Sequence, residues 1–381
     1  ADIIFINVKE LIEDGINPRG KSLNVSRIPS VKTLDNLSSA LSMIISLISK
    51  EASQEVVMDG LISLLSKYSK KLPELEQKIV EAFVKSSTTL KYNKAPTMVS
   101  FVIHLGTEQK IVNAVLSAYR TYTQLTPIPM IGLIINYEKG VVSHVSEILS
   151  EIITLGGKIM FSKHHVSQKG IIHSKNTNVT SLHLCSLSIN LPRLAFESNK
   201  DETYFRARLA LLMKPALTSM ALRKKSISDL VRLGINPVLA DSTQYMQRSS
   251  ISLIVNLTGL HNAVYGILGF KDDKQGKEIL HKVIETAVDI ASKKAKELSV
   301  NVMICITESD GSDRFVSLDE EKYGKDSILK IIDGETYSQG ITLDGGTMTE
   351  LTAKSAEIVE CNKITKILNG GLLVPLKIPG G

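Results

Sequence analysis

SINLPRLAFES, Ser188 to Ser198, and RFVSLDEEKYG, Arg314 to Gly324, are the stretches whose reading decides the fold. The first closes an apolar run, His183 to Asn190, that reads as a strand with Pro192 and Arg193 at its end. Outward from it, short apolar runs alternate with amphipathic helices. Upstream, Met98 to Leu105, Met130 to Asn136 and Lys158 to Phe161 read as strands, with Thr107 to Gln124 and Val141 to Leu155 as helices. Downstream come a long or broken helix, Glu202 to Leu233 with Pro215 inside it, and a strand, Ser250 to Leu257. A helix follows from Lys277 to Leu298, with Ile279, Val283, Ala287 and Ile290 inward, then an apolar strand, Val300 to Thr307. This is the rhythm of βαβ units. The first quarter reads as helical. Asp35 or Asn36 caps a run to Lys50, Glu55 to Lys70 places Val56, Val57, Leu61, Leu64 and Leu65 on one face, and Pro73 opens a third helix.

With 381 residues, 43% of them hydrophobic, the chain buries a large core as two domains or one large α/β unit. No apolar run reaches the roughly 18 residues that cross a bilayer, and Ala1 to Phe5 lacks the features of a signal peptide, so a cytoplasmic location is expected. Cys185, Cys305 and Cys361 are scattered and odd in number, which excludes a disulfide framework and a CxxC zinc site. The absence of Trp argues against stacking platforms for single-stranded nucleic acid.

The net charge of +6 is concentrated. Ile152 to Phe196 holds no Asp or Glu but carries Lys158, Lys163, Lys169, Lys175 and Arg193. Tyr204 to Ser228 is again acid-free, with Arg206, Arg208, Lys214, Arg223, Lys224 and Lys225, and a third run carries Arg19, Lys21, Arg27 and Lys32. Such runs read either as solvated faces or as phosphate-facing surfaces.

In order and separation, SINLPRLAFES and RFVSLDEEKYG resemble the catalytic subunit of anaerobic (class III) ribonucleotide reductase, a glycyl-radical enzyme. TPIPMI (Thr126 to Ile131), GINPVL (Gly234 to Leu239) and NLTGLHNAV (Asn256 to Val264) are similar to further family segments, so the resemblance runs from about Thr97 to Gly346. It implies a ten-stranded α/β barrel of the glycyl-radical enzyme and reductase type, here with an N-terminal helical layer. The expected divisions are 1–96, 97–346 and 347–381. In this reading SDGSDRFVSLDEE, Ser309 to Glu321, is a family loop and strand.

The resemblance also implies parts that this chain lacks. A family loop before the Asn-Leu-Pro-Arg motif carries the thiyl cysteine, because only a thiol has an S–H bond weak enough to exchange hydrogen with a glycyl radical and a ribose carbon. Here that region is HHVSQKGIIHSKN, His164 to Asn176. No cysteine precedes Cys185, and the sequence reaches Gly381 without the family's cysteine-bound zinc module or its Arg-Val-x-Gly-Tyr radical segment. No ATP-cone regulatory domain is recognisable in the first hundred residues either. The chain therefore reads as a truncated, degenerate relative. By resemblance Asn190 faces a substrate ribose and is the candidate nucleotide contact, while Arg193 reads as a structural ion pair and Cys185 as a structural, half-buried residue that behaves as a small hydrophobe.

No metal site is expected. His164 and His165 are adjacent and point apart in a strand or a helix, and Asp310, Asp313 and Asp319 lack calcium-loop spacing. No phosphate loop, GxGxxG, HExxH or GxSxG motif is present, and no cofactor is called for. These readings lead to the expectation of a non-catalytic reductase-like scaffold that binds RNA or a ribonucleoprotein such as the ribosome. Its contacts would be Lys158, Lys163, Lys169, Lys175, Arg206, Arg208, Arg223, Lys224 and Lys225. Two other readings stay open: a ribonucleoside-triphosphate reductase subunit acting with a separate radical-bearing chain, and a nucleotide-sensing regulator.

Overall fold

The computed structural model describes residues 1–14, 33–91, 97–106, 108–137, 142–173, 181–233, 251–270, 274–309, 311–332, 334–341, 343–344 and 355–377. They form two compact units. The first comprises residues 1–168, 173–184 and 226–251, and the second 169–172, 185–225 and 252–381.

In the first unit, β1 (Ile3–Asn7), β2 (Glu55–Asp59), β3 (Met98–His104), β4 (Ile131–Asn136) and β5 (Ile159–Ser162) lie side by side in sequence order, all parallel. Parallel neighbours need crossovers. These are supplied by α1 (Val8–Asp14), α2 (Leu34–Ser49), α3 (Leu61–Leu65), α4 (Leu72–Lys91), α5 (Gln109–Leu125) and α6 (Ser146–Thr154). The first four strands are buried over almost their whole length, which explains why they read as continuous apolar runs instead of alternating ones. The start of β6 (Ser181–Asn190) pairs antiparallel with β1, Ile3 opposite His183.

Two expectations for the first quarter are corrected. Glu55 to Lys70 is not one helix: Glu55–Asp59 is β2, Gly60 turns the chain in the left-handed region at φ 81°, and α3 follows. The apolar spacing mimicked a helix because a fully buried strand and the next helix abut across one glycine. The cap of α2 is Thr33, whose hydroxyl accepts the Asn36 N–H at 3.3 Å, and not Asp35 or Asn36.

The core of this unit is aromatic where α4 and α5 meet the sheet. Phe83 stacks on Phe101 at 5.4 Å and meets Tyr119 and Tyr122 edge-on. Both tyrosines are fully buried, and their hydroxyls are fully employed. Tyr119 Oη donates to the Ile131 carbonyl at 2.8 Å and accepts the Lys158 N–H at 3.1 Å. Tyr122 Oη donates to Ser87 Oγ at 2.9 Å and accepts the Met130 N–H at 3.1 Å. The amino ends of β4 and β5 are thereby fastened to α5 and α4.

In the second unit, β7 (Ile251–Thr258), β8 (Asn301–Ile306) and β10 (Gly371–Leu372) are parallel, and β9 (Leu343–Asp344) pairs with β11 (Leu376–Lys377) in a separate ladder. Around them are α7 (Leu191–Ser198), α8 (Glu202–Arg232) and helices at Lys274–Leu298, Ser312–Tyr323, Lys325–Leu329 and Ser355–Ile367. A π-helical turn, Asn262–Ile267, follows β7. The helix α8 runs unbroken through Pro215. The ladder order is β10-β8-β7 in the second unit and β1-β2-β3-β4-β5, with the start of β6 beside β1, in the first, nine such strands among the described residues against ten expected. SDGSDRFVSLDEE is not a loop and strand: from Ser312 on it belongs to the Ser312–Tyr323 helix, with Val316 and Asp319 inward. No helix among the described residues is long and apolar enough to cross a membrane.

Candidate functional site

Ligand-binding groups in parallel α/β sheets gather at the carboxyl ends of the strands, and the first unit is polar there. Asn7 is opposite Asp59, and His104 is opposite Asn136, which in turn is opposite Ser162. Alternate residues share a face, so Glu55, Val57 and Asp59 of β2 look the same way, as do Ser100 and His104 of β3. The segment 163–168 lies over this face and is tied down at one end. The Glu55 carboxylate accepts the Gln168 N–H at 3.0 Å and the Ser100 hydroxyl at 2.6 Å, and Gln168 Nε2 donates to the Leu133 carbonyl at 2.8 Å.

At the other end of the segment His165 reaches Asp59, Nδ1 to Oδ2, at 3.3 Å. His104 Nε2 approaches the same carboxylate at 3.1 and 3.3 Å. The Gly60 N–H donates to Asp59 Oδ1 at 2.5 Å. Ligand-type atoms of Asp59, His104 and His165 all lie within 4.8 Å of one another, and the three side chains are half-buried. Burial works to raise the Asp59 pKa, but the His104 hydrogen bond and charge, with the Gly60 N–H and His165, outweigh it and hold the carboxyl below its ordinary value. His104 is raised, first by its hydrogen bond to Asp59, and His165 is lowered, first by burial.

A second line of imidazoles lies deeper. The His173 N–H donates to the His165 carbonyl at 2.7 Å. Phe5 stands edge-on to His173 at 4.9 Å and to His183 at 5.4 Å. His183 is completely buried with neither ring nitrogen hydrogen-bonded, and burial pushes its pKa down to about 3.

In the second unit the two motif stretches meet at one buried carboxylate. Asn190 caps α7, its Oδ1 accepting the Arg193 N–H at 3.0 Å, while its Nδ2 donates to Asp319 Oδ2 at 2.7 Å. Arg193 Nε and Nη2 both reach Asp319 Oδ1 at 2.5 Å, and Tyr337 Oη donates to Oδ2 at 2.9 Å. Asp319 and Tyr337 are fully buried. Burial, then the hydrogen bond to Asp319 and its charge, pushes the Tyr337 phenol above its ordinary value. Arg193 thus makes an ion pair, and Asn190 joins strand, helix and carboxylate. Asp313 is exposed on the helix that buries Asp319, so the two do not form a calcium loop; Asp310 lies outside the described residues.

Cys185, Cys305 and Cys361 are buried and form no disulfide with one another, and burial pushes the Cys305 thiol up to about 12. Residues 163–173 contain no sulfur. Asp59 and His104 were not among the expected site residues. Their signal in the sequence is that each closes an apolar strand with a polar group, VVMD before Gly60 and SFVIH before Leu105. The adjacency argument holds between His164 and His165, but the partners of His165 come from other elements.

The family model described as anaerobic ribonucleoside-triphosphate reductase matches residues 137–378. A curated anaerobic ribonucleoside-triphosphate reductase from Haemophilus influenzae is 27% identical over 176 residues, 42% of this chain; the match spans only 24% of that protein's length. The anaerobic ribonucleotide reductase from Thermotoga maritima, solved with citrate in its active site, aligns with a TM-score of 0.69 at 14% identity, covering 99% of this chain and 80% of that one. The same enzyme with dATP in its specificity site gives 0.69 over 98% of this chain and 75% of that one. The architecture is therefore the mixed α/β fold of the reductase barrel.

These matches overturn the expectation of an RNA- or ribosome-binding scaffold. The geometry supplies the reason: stretches that are acid-free in sequence are not acid-free in space. Arg206 is paired with Glu202, and Arg208 with Glu197 at 3.0 Å, both acids lying just outside the basic runs. Lys163 sits over the Tyr137 ring, and Lys158 and Lys163 belong to the first unit while Lys169, Arg223, Lys224 and Lys225 belong to the second. Lys175 and the run from Arg19 to Lys32 lie outside the described residues.

Proposed function

The chain belongs to the anaerobic ribonucleoside-triphosphate reductase family, and from that premise we propose that it binds a ribonucleoside triphosphate and takes part in its reduction together with a separate radical-bearing chain. The observation that carries this reading is the family match across residues 137–378, which contains both stretches joined at Asp319. In this reading the sulfur-free segment 163–168 covers the polar strand ends where a reductase needs a thiol, so the hydrogen-exchanging sulfur arrives with the second chain. Asn190 and Arg193 then hold the barrel wall in shape around Asp319. The same sulfur-free segment favours one second reading, a barrel that binds nucleotide and regulates a partner without reducing anything.

Equilibrium dialysis of CTP and dATP, which the Thermotoga maritima enzyme holds in a solved complex, tests the binding half. About one saturable site per chain is expected for at least one of them. The reaction half is tested anaerobically with a glycyl-radical polypeptide of the same family, its activating enzyme and a dithiol reductant. Deoxynucleotide should form only when both chains are present, and Cys185→Ser should leave the yield unchanged. Loss of turnover on that substitution would move the thiol to Cys185, binding without turnover would select the regulatory reading, and absence of both would refute the proposal.

A further inference from the structure

Asp59, His104 and His165 converge from three separate elements of the first unit on a volume that a single ion would fill, and we propose that they form a binding site for one divalent first-row transition-metal ion. A structural Asp–His dyad needs one imidazole. Here two aim ring nitrogens at one carboxylate, Nε2 from the end of β3 and Nδ1 from the 163–168 segment, and the three ligand-type atoms lie within 4.8 Å of one another. Two imidazole nitrogens and a carboxylate oxygen are the donor set of sites for zinc or ferrous iron that keep positions open for water or substrate.

The surroundings orient the ligands as metal sites require. The left-handed turn at Gly60 delivers its N–H to Asp59 Oδ1 and fixes the carboxylate, so that His165 faces Oδ2 and His104 Nε2 stands within reach of both oxygens. His165 is fixed from both sides. Its carbonyl accepts the His173 N–H, and three residues on, Gln168 is anchored to Glu55 and Leu133. Exposures of 28%, 34% and 30% for the three side chains leave one side of the cluster open to solvent. These three ligands are in place whether the barrel binds or reduces nucleotides.

The test uses the full chain stripped with EDTA and titrated calorimetrically with Zn²⁺, and in parallel with Co²⁺, whose visible absorption bands report a ligand field of nitrogen and oxygen. One ion per chain is expected. His165→Gln and Asp59→Asn should each weaken Zn²⁺ binding by about a hundredfold, since loss of an orienting partner alone costs 10–100-fold, and should abolish the Co²⁺ bands. His164→Gln, one residue away and exposed, should change neither. His165 lies outside helix and strand, so its variant keeps the test decisive if Asp59→Asn fails to fold by circular dichroism. Absence of a stoichiometric ion, or binding that His165→Gln leaves intact, would overturn the site.

Discussion

Replacing Arg193 by Met removes two of the four donors that reach Asp319 and leaves a fully buried carboxylate with only the Asn190 amide and the Tyr337 phenol. Breaking a buried ion pair by removing one partner costs about 3–5 kcal/mol. Arg193 is itself 31% exposed, so part of its attraction is already screened and the lower end, about 3 kcal/mol, applies. Asp319→Asn is isosteric and leaves the guanidinium able to turn to water, so about 2 kcal/mol is expected. The double variant carries no buried charge, and its cost should fall short of the sum by about 2 kcal/mol, the coupling of residues in one network. Urea unfolding followed by far-ultraviolet circular dichroism measures all three, and folds of this kind, stable by about 5–15 kcal/mol, survive the single changes. A destabilisation of Arg193→Met below about 1 kcal/mol, or strict additivity in the cycle, would refute the reasoning that this carboxylate pins the two motif stretches together.

His183 predicts an acid-sensitive stability. Its folded pKa of about 3 lies below the ordinary 6.5, so between those values the unfolded chain takes up a proton that the folded chain refuses. No stability is lost above the unfolded value, and loss grows by up to about 1.4 kcal/mol per pH unit as pH falls toward the folded one; His183→Phe should flatten that part of a urea-midpoint profile, and an unchanged profile would count against the assignment. Gly60→Ala forces φ 81° on a residue with a Cβ that would stand 2.3 Å from Asn7 Oδ1, and should cost about 1–3 kcal/mol in the same assay; a change within error would show that the turn relaxes freely.

Much of the framework was legible in the sequence. Met98–His104, Ile131–Asn136, Ile159–Ser162 and Asn301–Ile306 are strands at nearly the positions their apolar runs predicted. Family motifs at a fixed order supplied the barrel that periodicity could not. Glu55–Asp59 misled because burial on both faces erases alternation; SDGSDRFVSLDEE was read by resemblance alone, and a helix burying only Val316, Asp319 and its first residue offers little apolar periodicity to correct that reading. Charge was the poorest guide: Glu197 and Glu202 stand beyond the ends of the basic runs, yet a helical turn or a neighbouring helix brings them to Arg208 and Arg206. The Asp59, His104 and His165 cluster was hidden for a related reason, since β2, β3 and the 163–168 segment meet only through the sheet register.

Tyr119 and Tyr122 clamp β4 and β5 at their amino ends, whereas Asn7, Asp59, His104, Asn136 and Ser162 stand at the carboxyl ends of the same five strands. The two ends of the sheet therefore carry different burdens. A change at the phenols registers as a folding defect, while a change at the opposite rim rewrites the reactive inventory and leaves the foundation standing. In such a division of labour the polar groups of one rim can be exchanged side chain by side chain while the strands stay fastened at the other.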